Sequence, residues 1–176
     1  MSTAILYRMN AGFPGDVNRT HPASIEADLI DVNSPPTAYG QAVLVDATTQ
    51  GVRPFAAGDQ SNTVPVVTWG ITVRAYPTQQ NQTNQNFGAA PFGSVAPPVS
   101  GVIDVLTAGY IMTTVPAGQA PVKGGTVYVW AAASTGSHVL GGFETSYSAG
   151  NTSVVANAFF NGSPDASGNV EIRFNN

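Results

Sequence analysis

The groups able to do chemistry are few in this chain, which has ten acidic side chains, six basic ones, two histidines and no cysteine in 176 residues. Six of these eighteen fall in one stretch, "NAGFPGDVNRTHPASIEADLID" at 10–31: Asp16, Arg19, His21, Glu26, Asp28 and Asp31. A nucleophilic relay needs an imidazole within reach of a hydroxyl and a carboxylate to orient it. His21 has Ser24 and Asp28 nearby in sequence, but Gly12, Pro14, Gly15 and Pro22 make the segment irregular, and no serine occupies a Gly-x-Ser-x-Gly elbow. His21 reads as a turn histidine before proline, and His138 in "TGSHVLGG" as a structural residue at a strand start. Glu26 and Asp28 share one strand face, and Asp31 lies on the other. A glycoside hydrolase using Glu26 or Asp28 would need two carboxyl groups about 5–9.5 Å apart across a cleft. Acids two apart on one strand read instead as a solvated edge.

The remaining motifs are equally plain. "DASGN" (165–169) lacks the further oxygen ligands of a calcium loop, and Lys123 in "KGG" has no phosphate-loop glycine before it. Trp69, Tyr128 and Trp130 have the faces to stack on sugars but fall in strands of core character. The Asn-x-Ser/Thr matches at Asn18, Asn81, Asn151 and Asn161 follow from a composition rich in Asn and Thr. No catalytic residue, no cofactor site and no metal ligand is therefore expected.

The elements that carry these residues are strands. With 19 Gly and 13 Pro, long helices have little room. "VTWGITVRA" (67–75) alternates, placing Val67, Trp69, Ile71, Val73 and Ala75 on a core face and Thr68, Gly70, Thr72 and Arg74 on the other. "NVEIRFN" (169–175) sets Val170, Ile172 and Phe174 against Glu171 and Arg173, and "GTVYVWAA" (125–132) is apolar on both faces, as in a central strand buried from either side. Further strands are predicted at 3–8, 25–31, 41–46, 100–106, 109–115, 138–147 and 152–160, with "NGSPDASGN" (161–169) as the turn joining the last of these to the tail. This pattern predicts an all-β, jelly-roll-like sandwich or barrel. The expected division is a strand and extended arm at 1–24 and a β domain at 25–176, interrupted by a long loop at 77–98.

Composition narrows the partners. Only 9% of residues are charged, against about 25% in ordinary soluble chains. A net charge of −4 with a single lysine offers nothing to a phosphate backbone, so no nucleic acid is expected. No apolar run approaches the roughly 18 residues of a membrane span, and the N-terminus has no secretion signal. The reading is a protein made in the cytoplasm that recognises by shape, apolar contact and backbone hydrogen bonds.

Taken in order, "AGFPGDVNR" (11–19), "HPASIEADLID" (21–31), "PPTAYGQAVLVD" (35–46), "GVRPFAAGD" (51–59), "GITVRAYPTQQ" (70–80), "SGVIDVLTAGYIMTTV" (100–115), "KGGTVYVW" (123–130) and "GNVEIRFN" (168–175) resemble the structural cement, or head decoration, proteins of tailed bacteriophages. The resemblance implies a non-enzymatic, β-rich homo-oligomer, dimer or trimer, on the outer surface of the phage head. Its partner would be the major capsid protein, whose neighbouring subunits it clamps in the expanded shell. Residues 9–24 then read as a docking arm stiffened by proline, with Phe13 and Pro14 as apolar contacts and Asp16 and Arg19 at the margin. Phe87 and Phe92 of the central loop are further contact candidates. The alternative for 9–24 is that it packs on its own domain and closes one end of the barrel. The alternative for the whole chain is a glycan-binding β-sandwich.

Overall fold

In the computed structural model the described residues are 12–19, 22–59, 67–74 and 96–175. The predicted strand at 3–8, His21, Phe87, Phe92 and most of the 77–98 loop lie outside them.

Among the described residues there are nine strands: β1 (Ser24–Leu29), β2 (Ala42–Val45), β3 (Val52–Pro54), β4 (Gly70–Thr72), β5 (Val102–Thr114), β6 (Thr126–Trp130), β7 (Phe143–Glu144), β8 (Thr152–Phe160) and β9 (Asn169–Asn175). They form one antiparallel sheet in the order β3-β2-β4-β5-β9-β8-β6-β7, with β1 also paired to β5. The sheet curls strongly into a half-barrel, so the all-β expectation is met.

The curl encloses the main core. Leu44, Phe55, Ile71, Leu106, Ile111, Val129, Phe143, Phe160, Ile172 and Phe174 are all buried in it. Complete burial of a phenylalanine or an isoleucine contributes about 1.5–3 kcal/mol each. Ile30, Tyr39, Val43, Val52, Ile103 and Val105 make a smaller core, with Trp69 packed against it. The two cores have opposite effects on the sequence pattern. In β9, Val170, Ile172 and Phe174 are buried while Arg173 is exposed, as the alternation predicts. Around β4, Ile71 and Val73 are buried as expected, but so are Thr68 and Thr72 on the predicted polar face. Thr72 tolerates this because its hydroxyl donates to the Ala38 carbonyl at 3.0 Å. Val67, at the strand's predicted start, is exposed.

Two predicted strands, 100–106 and 109–115, prove to be one. β5 runs through Gly109, pairing with β1 and β4 along its first half and with β9 from Ala108 to Thr114. Gly109 has φ of +139°, and a Cβ there would stand 2.8 Å from the Pro22 carbonyl oxygen. Only glycine lets the strand pass that point without interruption. The predicted strand at 138–147 shrinks to Phe143–Glu144, because Gly141 and Gly142 close a turn in which the Gly142 amide bonds to the Val139 carbonyl. β3 was not predicted: it is three residues long and ends in proline, which an edge strand accepts. The 161–168 turn does join β8 to β9.

Candidate functional site

The irregular N-terminal segment is built as a strap. Pro14 and Gly15 occupy the centre of a tight turn, with the Asp16 amide bonded to the Phe13 carbonyl at 3.0 Å. The Phe13 amide donates to Asp16 Oδ2 at 2.8 Å, so side chain and main chain close the turn from both ends. Gly15 has φ of +90°, the conformation that the third position of a type II turn requires after proline.

This turn is stitched to two remote parts of the sheet. The Gly15 amide donates to the Met112 carbonyl, the Met112 amide to the Asp16 carbonyl, and the Arg74 amide to the Gly15 carbonyl, all at 2.8–2.9 Å. Residues 15–16 thus bridge the second half of β5 and the chain just after β4. Arg74, whose side chain is only 7% exposed, lies beneath the turn. Its Nε and Nη2 both donate to the Pro14 carbonyl at 3.2 Å, and Nε lies 3.5 Å from Asp16 Oδ1. The guanidinium also faces the Phe13 and Tyr39 rings at 5.4 and 5.5 Å. Burial pushes the Tyr39 hydroxyl above its ordinary pKa, with Arg74 opposing that rise.

Farther along, Arg19 forms a two-point pair with Glu171, Nη2 to Oε2 at 2.9 Å and Nε to Oε1 at 3.3 Å, and lies 4.1 Å over the Tyr110 ring. The hydrogen bonds and charge of Glu171 raise the Arg19 pKa further above its ordinary value. Asn161 donates to the same carboxylate.

Four of the six sequence-predicted contact residues lie in the strap. Phe13 is 40% exposed at the corner of the turn, and Pro14 lies at its flank. Asp16 and Arg19 serve the strap's own attachment, through the turn and through β9. Residues 13–19 are therefore bonded to the sheet of their own chain at Gly15, Asp16 and Arg19. Phe87 and Phe92 are outside the described residues.

Beside the strap runs a mostly apolar groove of about 470 Å³, bounded by Pro14, Tyr39, Gln41, Thr114, Leu140 and Gly142. Among the described residues no carboxylate lines it. Sequence reasoning missed this groove, since its walls come from five separated stretches and no motif marks them. The turn was readable: Phe-Pro-Gly-Asp is the residue order of a type II turn.

The other candidate residues hold the structure together. Thr107 donates to Glu26 and the Trp69 indole to Asp28, at 3.3 and 2.9 Å. Glu144, 2% exposed, takes one bond from Gln119 and sits 2.7 Å from His138 Nδ1. The His138 ring stacks on Trp130 at 4.3 Å. Among the described residues no group of three His, Asp or Glu side chains is placed to hold a metal ion.

Comparison with known proteins bears on this arrangement. A family model for the XM1 gp53 minor capsid protein matches residues 1–174. A chain from a solved structure of the capsid of Myoviridae phage XM1 is 20% identical and superposes with a TM-score of 0.69, covering 99% of this chain and 97% of that one. No curated protein matches. The resemblance to phage head proteins read from the sequence is thereby borne out, and the chain belongs to the XM1 gp53 minor capsid protein family, as a structural component of the phage capsid.

Proposed function

We propose that this capsid protein is a cement: it binds the outer surface of the expanded head and fastens neighbouring major capsid subunits, without catalysing a reaction. The observation that carries the reading is Phe13, a large apolar side chain held exposed at the corner of a turn bonded to two parts of the sheet and bordered by an apolar groove. A prearranged turn loses little conformational freedom on docking, so more of its apolar contact appears as affinity. The family match supports a capsid role and the resemblance to decoration proteins supports the outer face. Phe13 and Pro14 would enter the coat surface; Asp16 and Arg19 hold the strap that presents them. In this reading the protein acts as a dimer or trimer, so that several modest contacts become slow to release together.

The test is cosedimentation with expanded, undecorated shells and with unexpanded precursors. The protein should bind the expanded form preferentially. Phe13→Ser should weaken binding by about 10- to 100-fold, the loss of one buried phenylalanine. Equal binding by the variant would remove the turn from the interface, and no binding of the wild type to either shell would overturn the cement reading.

A further inference from the structure

A clamp needs a second surface, and we propose that it is the outer edge of β1, which takes an extended, basic and apolar strand of a neighbouring coat subunit by main-chain pairing. This rests on the capsid reading above and adds the partner's chemistry. Three independent features support it.

The first is an open edge. The Ile30 amide bonds to the Gly101 carbonyl on the β5 side, which fixes the alternation along β1: Glu26 and Asp28 turn their main chain to β5, and Ile25 and Ala27 turn theirs outward. Asp31, of the same parity, already donates outward to the Val52 carbonyl at 3.0 Å, where β3 meets the chain. Among the described residues, no main-chain bond is made on the outer side of Ile25 or Ala27. An added strand would continue the sheet from there.

The second is an apolar face. Leu29 and Val102 are cross-strand partners and are 64% and 54% exposed. Ile25, two steps along the same face beyond Ala27, is also exposed. Three large side chains in a row on two paired strands give an incoming strand something to cover.

The third is uncompensated charge. Glu26 and Asp28 line one face and Asp104, the partner of Ala27, lies on the other. None of the three has a salt bridge among the described residues. This decides between occupants. A second copy pairing antiparallel about Ala27 would set Glu26 against the other copy's Asp28, and like charges directly opposite destabilise a sheet. A strand carrying Lys or Arg at those positions is favoured, so the edge rejects its own kind and accepts a basic partner.

The test uses expanded shells as the probe. Ala27→Pro removes an outward amide and blocks pairing on an edge strand that keeps its bonds to β5. Leu29→Glu removes exposed apolar surface and adds a like charge, with no core contact at stake. Each should weaken cosedimentation by at least about tenfold, with melting and free oligomeric state unchanged. Raising salt from about 0.1 to about 1 M shortens the screening length from about 10 to about 3 Å and should weaken the wild type; Glu26→Gln with Asp104→Asn should flatten that response. Wild-type binding by folded Leu29→Glu or Ala27→Pro would overturn the proposal. Dissociation of the free oligomer by either variant would also overturn it, since the occupant would then be a second copy. If Phe13→Ser fails to bind while both β1 variants bind normally, only this inference falls; if the wild type binds no shell, the capsid reading falls with it.

Discussion

Gly15 is the residue on which the strap depends. A Cβ there would come within 2.7 Å of Tyr39 Cβ and 2.9 Å of the Arg74 nitrogen, and its φ is positive. Gly15→Ala should therefore destabilise the protein by about 2–4 kcal/mol, combining steric displacement with backbone strain. A melting curve checks this, and an unchanged midpoint would mean that the turn is not fixed as described. A second residue-level prediction concerns Glu144. Truncating its partner in His138→Ala leaves a carboxylate 2% exposed with one remaining donor, Gln119, and should cost about 2–3 kcal/mol. Adding Glu144→Gln should recover part of that loss, because a neutral amide needs no counter-group. At this scale the sequence was only partly legible. The charged stretch at 10–31 drew attention to Phe13 and Pro14, which lie in a turn that leaves Phe13 exposed. It could not show that Asp16 and Arg19 pair with Arg74 and Glu171, since those partners lie 58 and 152 residues away.

The elements read well where one force dominates. β9 and the turn before it follow from strict alternation and from a Pro/Gly/Asn-rich connection. They fail where tertiary context intervenes: the second core buries the polar face of β4, and a single glycine carries β5 through what looked like a break. β2 and β3 illustrate a further device. Asp46 accepts the Thr48 and Thr49 amides, which hold its carboxyl below the ordinary range. Burial works against ionisation of Asp59, but two bonds from Arg53 and one from the Ala56 amide outweigh it and keep that carboxyl low too. Both groups ionise more readily when folded, so their stabilisation is complete above the unfolded carboxylate pKa of about 3.9 and is lost as pH falls through the folded values. The β2–β3 hairpin should loosen below about pH 4. Asp59→Asn should reduce that acid dependence, as judged by melting temperature against pH.

For the molecule as a whole, the low charge fraction fits a protein that meets other polypeptides over surfaces of shape and apolar contact. A cement that binds the expanded shell but not its precursor stabilises the shell by that difference in affinity. Decorated shells should therefore disrupt at a higher temperature than bare ones, and the shift should grow with protein concentration until the sites fill. A calorimetric scan with no concentration-dependent shift would contradict the clamp. Two presenting faces, the Phe13 turn and the β1 edge, would let one copy reach across a seam.

The strap's attachment has a mechanical consequence. A tug applied at Phe13 does not peel a single hairpin from its end. It is shared among main-chain bonds to Met112, the Arg74 amide and the paired guanidinium bonds to the Pro14 carbonyl. In the proposed cement role, a head swollen by packaged genome would load the strap at several points at once, and rupture would require them to give way together.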